Sequence, residues 1–566
     1  LPGLDEARQN MLMGPGAPFE MGDEDVLGAT MPVFIKRPRS ILAYLANAIE
    51  TMPDRDYLVF PDRRVTFGGI AAPIAAAAQR LADDYGVGRG DRLAISSANV
   101  YDYAVTFWAA TSLGAITVAM NGWWTAAESL DGLAVTTPKV IFADDPRADR
   151  LEAAGVELGA PLVRFGGPWW DEASEDPAAT IPHATIRHAA IAGDEDDPFL
   201  ILFTSGTTGR AKGAVITHRA NIHFLMSHSL TGAATAMLNG TAGANIHHKT
   251  LGASPMFHIS GMTAQLIMAP LGGMTIVYPP VGRWSEEQHV RMSAEHGITR
   301  WSLVPTQAWR IVEFPDLASY DLTALVGLGG GSAVWPPELL RELTNKFPNA
   351  VAGLGLGFGM TETCGLGTSL PAALVADHAD SVGVPSAGVS VEVRDPDTNQ
   401  TVPEGEVGEI CMRSAANFLE YWDNPQATAA AIDRERWYYT GDFGYIRDGL
   451  LYLEGRRSDL IIRGGENIYP AEIENRLVEH PGVFEAAVVG VPHPQLGQEV
   501  AAYVTRTPGV AAVSEAELVE FLAASLAKFK VPTSITFVDD FPRNATGKVL
   551  KAELLDPSAP ARFVSE

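Results

Sequence analysis

The chain of 566 residues contains only two cysteines, Cys364 and Cys411. Two thiols exclude a disulfide framework and an all-cysteine zinc site and fit a reducing compartment, so the expected location is cytoplasmic. Basic residues are few beside acidic ones, 41 against 68, and no Lys/Arg run occurs. A net charge of −27 repels nucleic acid and anionic membranes. Long apolar runs are lacking too. The most apolar segment, residues 266–281, is interrupted by Pro270, Gly272, Gly273, Pro279 and Pro280, which makes it a poor membrane span. No basic and apolar signal opens the sequence, and Leu1 in place of methionine suggests a processed or trimmed start.

What is present is globular: 46% hydrophobic and 19% charged residues, in a chain longer than one core usually supports. Residues 1–33 are rich in Gly, Pro, Met and acid without clear periodicity and are expected to form a surface arm. A βαβ rhythm follows. "RLAISSANV" reads as a strand, Tyr101, Ala104, Val105 and Trp108 share one helical face, and "AITVAMN" and "KVIFADD" are further strands. Such alternation implies mainly parallel sheet covered by helices. Between 380 and 455, "VSVEVRD", "GEVGEICMRS" and "GLLYLEG" are short strands of an antiparallel or barrel-like layer. Beyond "GRRSD" the pattern becomes a compact α+β unit of about 110 residues. The expected fold is therefore α/β, with a large N-terminal domain over 34–457 and a smaller, mobile α+β domain over 458–566.

The densest chemistry lies in "LFTSGTTGRAKGAVITH", Leu202 to His218. Apolar strands flank a loop in which Gly206, Gly209 and Gly213 let backbone approach a ligand. Thr204, Ser205, Thr207 and Thr208 add short donors, and Lys212 adds a compact positive charge. This composition outlines a phosphate cradle, although a solvated hairpin has similar residues. It is not a Walker A loop, because Gly213 stands where the hydroxyl should follow the lysine. Other unusual stretches are scattered. "SPMFHISG" carries His258, "VGLGGGS" and "GLGLGFGMTET" bare backbone against which a flat group can lie, and "WYYTGDFG" places Asp442 in a turn suited to ribose hydroxyls. Thr361 beside Glu362 offers a hydroxyl and a carboxylate for phosphate and magnesium together. Taken singly, the glycine segments and the Gly-Asp turn read equally well as ordinary turns, and a lone histidine such as His258 is more often structural.

Six segments, "TSGTTGRAKG", "GFGMTET", "GEVGEI", "YYTGDFG", "GRRSDLIIRGGENIYPAEIE" and "PRNATGK", resemble in order and spacing the core motifs of the adenylate-forming acyl-CoA synthetases, over roughly residues 35–551. The resemblance implies ATP, Mg²⁺ and CoA. Thr204, Ser205, Gly206, Thr207, Thr208, Gly209 and Lys212 would hold phosphates. Gly330, Gly331, Ser332, Phe358, Gly359 and Met360 would form the adenine site, Thr361 would touch the α-phosphate, and Glu362 with Thr204 would hold the metal. Asp442 and Arg456 would take the ribose. Lys548 would stabilise charge during displacement of pyrophosphate, and His258 would gate the acyl site, with Glu466 meeting it after rotation of the small domain. Gly464, Gly465 and Asn467 would lie along the pantetheine channel. Phe358 stands where relatives commonly carry tyrosine, and Ser458 falls on the hinge, where they carry Asp or Lys.

The implied reaction is activation of a carboxylic acid as acyl-adenylate, then transfer to a thiol. Gly261, Met262, Leu266, Gly331, Gly355 and Gly357 are the expected acyl-pocket residues. Their small or apolar character points to a medium- or long-chain fatty acid, or a bulky aryl or steroid-type acid, rather than an amino acid. "RGGENIYP" favours CoA as acceptor, with a stand-alone acyl-AMP ligase loading a carrier protein as the alternative. A nucleotide-binding regulator without turnover is disfavoured by intact Glu362 and Lys548. A homodimer is left open.

Overall fold

The computed structural model describes residues 3–170, 194–204, 211–243, 246–331, 335, 337–351, 353–375, 377–456, 459–463, 466–507, 510, 513–543 and 549–555. The short apolar runs of the first third become a 6-stranded sheet. Arg92–Ser96, Ile116–Ala119, Val140–Ala143, Leu162–Arg164 and Pro198–Thr204 run parallel, and Lys212–Thr217 closes one edge antiparallel. Every residue of Ile116–Ala119 and Val140–Ala143 is buried, as expected for strands covered on both faces. The helix Tyr101–Ser112 supplies part of that cover, with Ala104, Val105 and Trp108 fully buried.

A second sheet has 13 strands. Its parallel part includes Lys249–Leu251, Arg300–Leu303, Gly327–Gly330 and Gly355–Phe358. From Thr368–Pro371 onward the pairing turns antiparallel. The barrel-like layer expected over 380–455 is a continuation of this sheet, because Gly355–Phe358 pairs directly with Thr368–Pro371 and so passes the hydrogen-bond ladder on.

The glycine-rich segments are themselves strands. In "GLGG" and "GLGF" the residues alternate with the period of a pleated strand. Leu328 and Leu356 are buried in a core with Trp301, Leu303 and Leu370, while Gly327, Gly329 and Gly355 fall on the opposite face in register. On these two strands one face is thus greasy and its reverse has no side chains.

A 5-stranded sheet spans Ile461–Phe537. Its own core, including Ile461, Leu477, Val488, Val504 and Leu518, sits beneath the helices Pro470–Val478 and Glu515–Ala523. Ser514 opens the second helix through a reciprocal capping box with Glu517.

The N-terminal residues depart from expectation. Instead of lying loosely on the surface they form a helix, Glu6–Met13, and a hairpin of Met21–Val26 with Ala29–Phe34. Leu12, Met31, Val33 and Phe34 are buried. The alternation along "ATMPVF", diluted by acid and glycine on the partner strand, carried this signal. Buried Arg37 pairs with Glu24 of the hairpin and with Glu195, which also binds Arg219, and so ties the hairpin to the body. No helix among the described residues is long and apolar enough to cross a membrane.

Candidate active site

The carboxyl ends of the parallel strands open on a cavity of about 1520 Å³. Ligands of open α/β sheets bind at such ends. The antiparallel pair Pro198–Thr204 and Lys212–Thr217 brings Thr204 opposite Lys212, and both line the cavity. Ser205, Gly206, Thr207, Thr208 and Gly209, between them, lie outside the described residues, as do Ser332, Gly464, Gly465 and Lys548. The Lys212 Nζ sits 5.1 Å from the centroid of the Tyr421 ring. The Tyr421 hydroxyl in turn donates to Glu362 Oε1 at 2.7 Å. Glu362 stands on the single 3-10 turn Thr361–Thr363, buried in the cavity wall. Burial raises its carboxyl pKa, a rise opposed by the Tyr421 bond and by the charges of Arg456 and Lys212. No cation forms an ion pair with it among the described residues.

Asp442 is buried and directly opposite Arg456 in the antiparallel ladder, with Oδ1 2.7 Å from Nε. Arg456 and Gly441 line the cavity. Gly359, Met360, Thr361, Gly330 and Gly331 line it as well. The two glycines have different reasons. A Cβ on Gly330 would stand 2.3 Å from the Leu303 carbonyl oxygen and 2.4 Å from the Trp335 ring, so the protein's own packing requires the absence. Among the described residues a Cβ on Gly331 would meet only the Gly357 oxygen, at 3.5 Å, which leaves bare backbone toward the cavity. Phe358 is half-buried against Val382, Ile410 and Met412 beside these glycines.

His258 lines the cavity and caps a short helical turn, its Nδ1 accepting from the Ser260 N–H and lying 2.9 Å from the Ser260 hydroxyl. Burial pushes its pKa down to about 4, so it is neutral at pH 7 with the remaining proton on Nε2. The acyl-pocket expectation needs correction past this residue. Gly261, Met262 and Leu266 pack into the body, whereas Thr263, Ala264 and Met268 line the cavity. The cause is a π-helical stretch, Met262–Ile267, which rotates the chain away from the α-helical period. Gly331, Gly355 and Gly357 do line the cavity.

From the residues that follow the small sheet, Arg543, Leu550 and Glu553 reach the cavity. Arg543 forms a β-bridge with Val549, on either side of residues 544–548, and is ion-paired to Glu485. Glu466 is exposed on the hairpin of Ile461–Arg463 with Glu466–Ile468, which also carries Asn467, and Glu466 does not line the cavity. Cys364 is fully buried, its thiol pushed up to about 12 by burial, with Asn221 Nδ2 3.6 Å from Sγ. It is a packing residue.

Sequence reasoning missed Tyr421, Trp123 and Trp124. The last two line the cavity and stack edge-on against Phe257 and Phe203. The signal was available in "NGWWT", two tryptophans directly after a buried strand.

A buried carboxylate, a paired acid and arginine, a hydroxyl and a lysine at a hairpin mouth, and a side-chain-free floor can together accommodate a polyanionic nucleotide beside an apolar acid. The family profile of the AMP-binding enzymes matches residues 45–422, and that of the AMP-binding enzyme C-terminal domain matches residues 472–548. A 3-[(3aS,4S,7aS)-7a-methyl-1,5-dioxo-octahydro-1H-inden-4-yl]propanoyl:CoA ligase of Mycobacterium tuberculosis is 32% identical over 91% of this chain and 98% of its own. The long-chain-fatty-acid–CoA ligase FadD13 of the same species is 32% identical over 87% and 93%. ATP-bound MatB from Rhodopseudomonas palustris superposes with a TM-score of 0.78 at 29% identity, covering 91% of this chain and 98% of that one. The chain belongs to the AMP-binding enzyme family. It is an AMP-forming acid–thiol ligase, an acyl-CoA synthetase with ATP and CoA as substrates.

Proposed function

We propose that the protein activates a bulky, largely hydrophobic carboxylic acid, aryl or alicyclic, and that its reaction divides between the two parts of the chain. The carboxylate attacks the α-phosphorus of ATP, the bond to the β-phosphate oxygen breaks, and pyrophosphate leaves. The CoA thiolate then attacks the acyl carbon, and AMP departs with the electron pair of the mixed anhydride. The observation that carries the acid class is the floor of Gly327, Gly329 and Gly355, which gives the cavity width where strands ordinarily place side chains.

Lys212, Thr204 and the loop between them, with Ser205, Gly206, Thr207, Thr208 and Gly209, take the phosphates in this reading. Gly330, Gly331, Ser332, Phe358, Gly359 and Met360 take the adenine, Asp442 and Arg456 the ribose, and Thr361 the α-phosphate. Magnesium fits the residues present. Glu362 is a buried carboxylate with no ion-paired cation among the described residues, and no cluster of three acidic, histidine or cysteine ligands occurs there. That suits a hard cation held by one carboxylate and by phosphate oxygens. Glu362 and the Thr204 hydroxyl would hold it, and when bound it neutralises charge on the triphosphate. His258, neutral, closes the acyl site without adding charge to it.

Lys548 is the group we assign to charge stabilisation at the α-phosphate. Support comes from its flanks, since Arg543 and Leu550 reach the cavity. The residues from 458 onward would then rotate between the half-reactions, bringing Gly464, Gly465, Glu466 and Asn467 to the acyl site for CoA. A cytoplasmic enzyme with no nucleic-acid or integral-membrane partner is the setting this chemistry fits. Incubation with ATP, Mg²⁺, CoA and a panel of acids, with AMP quantified and thioesters identified by mass, tests the reading. Thioester from fused-ring or aryl acids supports it, and conversion of short linear acids alone overturns the acid class.

A further inference from the structure

The cavity carries one cation that the adenylation chemistry leaves without a use. Arg300 opens the strand Arg300–Leu303 and lines the cavity. In the parallel ladder it stands beside Thr250 on one side and Gly327 on the other. A Cβ on Gly327 would lie 3.3 Å from Arg300 Cγ and 3.6 Å from its Cζ and Nε, so the guanidinium lies along bare backbone that any side chain would displace. The other described arginines that line the cavity each have a carboxylate: Arg456 has Asp442 and Arg543 has Glu485. The Arg300 side chain is exposed to the cavity and has neither ion pair nor hydrogen bond among the described residues. The adjacent His248 is held at about 4 by burial and then by Arg300, so the positive charge at this point belongs to Arg300. A ligand carboxylate that enters the cavity can supply the anion that the protein does not.

Position sets the ligand's length. Arg300 and Leu303 are the two ends of one strand, and Leu303 pairs with Gly330, at the carboxyl end where the adenine glycines lie. Three residues of strand span about 10 Å. Between these ends lie Gly327, Gly329 and Gly355. The geometry points to Arg300 as the residue that recognises a second carboxylate at the far end of the acid, so that the substrate is a dicarboxylic acid with an apolar body, activated at the end near His258. This rests on the ligase reading above and narrows its acid.

Matched acids test it: octanoate against octanedioate, and 3-phenylpropanoate against its para-carboxy derivative. Binding to the full-length protein is measured by calorimetry without CoA, and kcat/KM by AMP release. Wild type should favour each diacid by about 10- to 100-fold, the range expected of a charge-assisted hydrogen bond that only the diacid can make. Arg300→Met should erase that ratio chiefly through Kd and KM, and Arg300→Lys should retain part of it. Unchanged ATP binding and melting temperature of the variants establish that they are folded. Equal or better binding of the monoacids by wild type, or an equal loss for both acids in Arg300→Met, overturns the assignment. If diacid binding is preferred and lost in Arg300→Met but no acid yields AMP, the ligase reading fails while the Arg300 assignment stands. If AMP forms without preference, the reverse holds.

Discussion

A side chain added at Gly355 should separate the width of the acyl channel from the stability of the sheet. A Cβ built there meets no atom of the described residues within 4 Å, and the residue's φ lies outside the left-handed region. Gly355→Ala therefore needs no rearrangement and, by restricting the unfolded chain, should stabilise the protein by about 0.4–1 kcal/mol. Gly355→Leu carries its larger side chain into the 1520 Å³ cavity. Two residues on, a Cβ at Gly357 would stand 2.5 Å from the Thr368 carbonyl oxygen. That oxygen is backbone of the paired strand and cannot swing aside, so Gly357→Ala should cost about 1–3 kcal/mol, in the range of an overpacked core. Melting curves should rank Gly355→Ala at or above wild type and Gly357→Ala below it. Thioester assays should show Gly355→Leu reducing kcat/KM for a fused-ring acid by roughly 100-fold and for butanoate by about threefold or less, because a filled channel rejects bulk and not chemistry. Equal losses for both acids would refute the channel, and equal melting of the two alanine variants would refute the packing argument.

Lys548→Ala should depress ATP-dependent adenylate formation by about 100-fold or more while thioester formation from supplied acyl-adenylate stays within about threefold, since the ammonium is needed only where pyrophosphate leaves. Equal loss in both halves removes its separate role. Tyr421→Phe deletes the hydroxyl that helps keep Glu362 ionised, so the acid limb of the adenylation pH profile should move to higher pH, with activity at neutral pH lower by about tenfold. An unmoved limb sinks the Tyr421 role. His218 and His258 are held near 4, and His223 and His289 near 3, all mainly by burial. With folded pKa values below the unfolded 6.5, the unfolded chain binds more protons below that pH. Their contribution is therefore full above about pH 6.5 and falls through pH 6 and 5, on the order of a few kcal/mol in sum. Urea unfolding between pH 7.5 and 5 checks this, and a flat profile contradicts it.

The strands around the site were legible because their signal is local. "KVIFADD" and "AITVAMN" contain uncharged runs without alternation, Val140–Ala143 and Ile116–Ala119, the pattern of a strand covered on both faces, and both runs lie in the parallel sheet, buried at every position. The hairpin that sets Thr204 opposite Lys212 was legible for the same reason. The N-terminal hairpin was hidden by its composition, since Met21–Val26 has acids on the strand that faces solvent and only the partner strand alternates. The residues after His258 were misread because a π-helical turn changes the period on which face assignment depends.

The amino-acid sequence alone determined the chemistry, through six motifs whose glycines, hydroxyls and charges meet local demands of backbone approach and anion binding. Tertiary structure decided what each residue faces. It joined Tyr421 to Glu362 across 59 residues, turned Leu266 into the core and Met268 toward the cavity, and laid three glycines on the reverse of a leucine-bearing face. It also left Arg300 beside a cavity without an acid. Burial and pairing are set by neighbours remote in the chain, and so the charge that selects a substrate is visible only once the strands have been brought side by side.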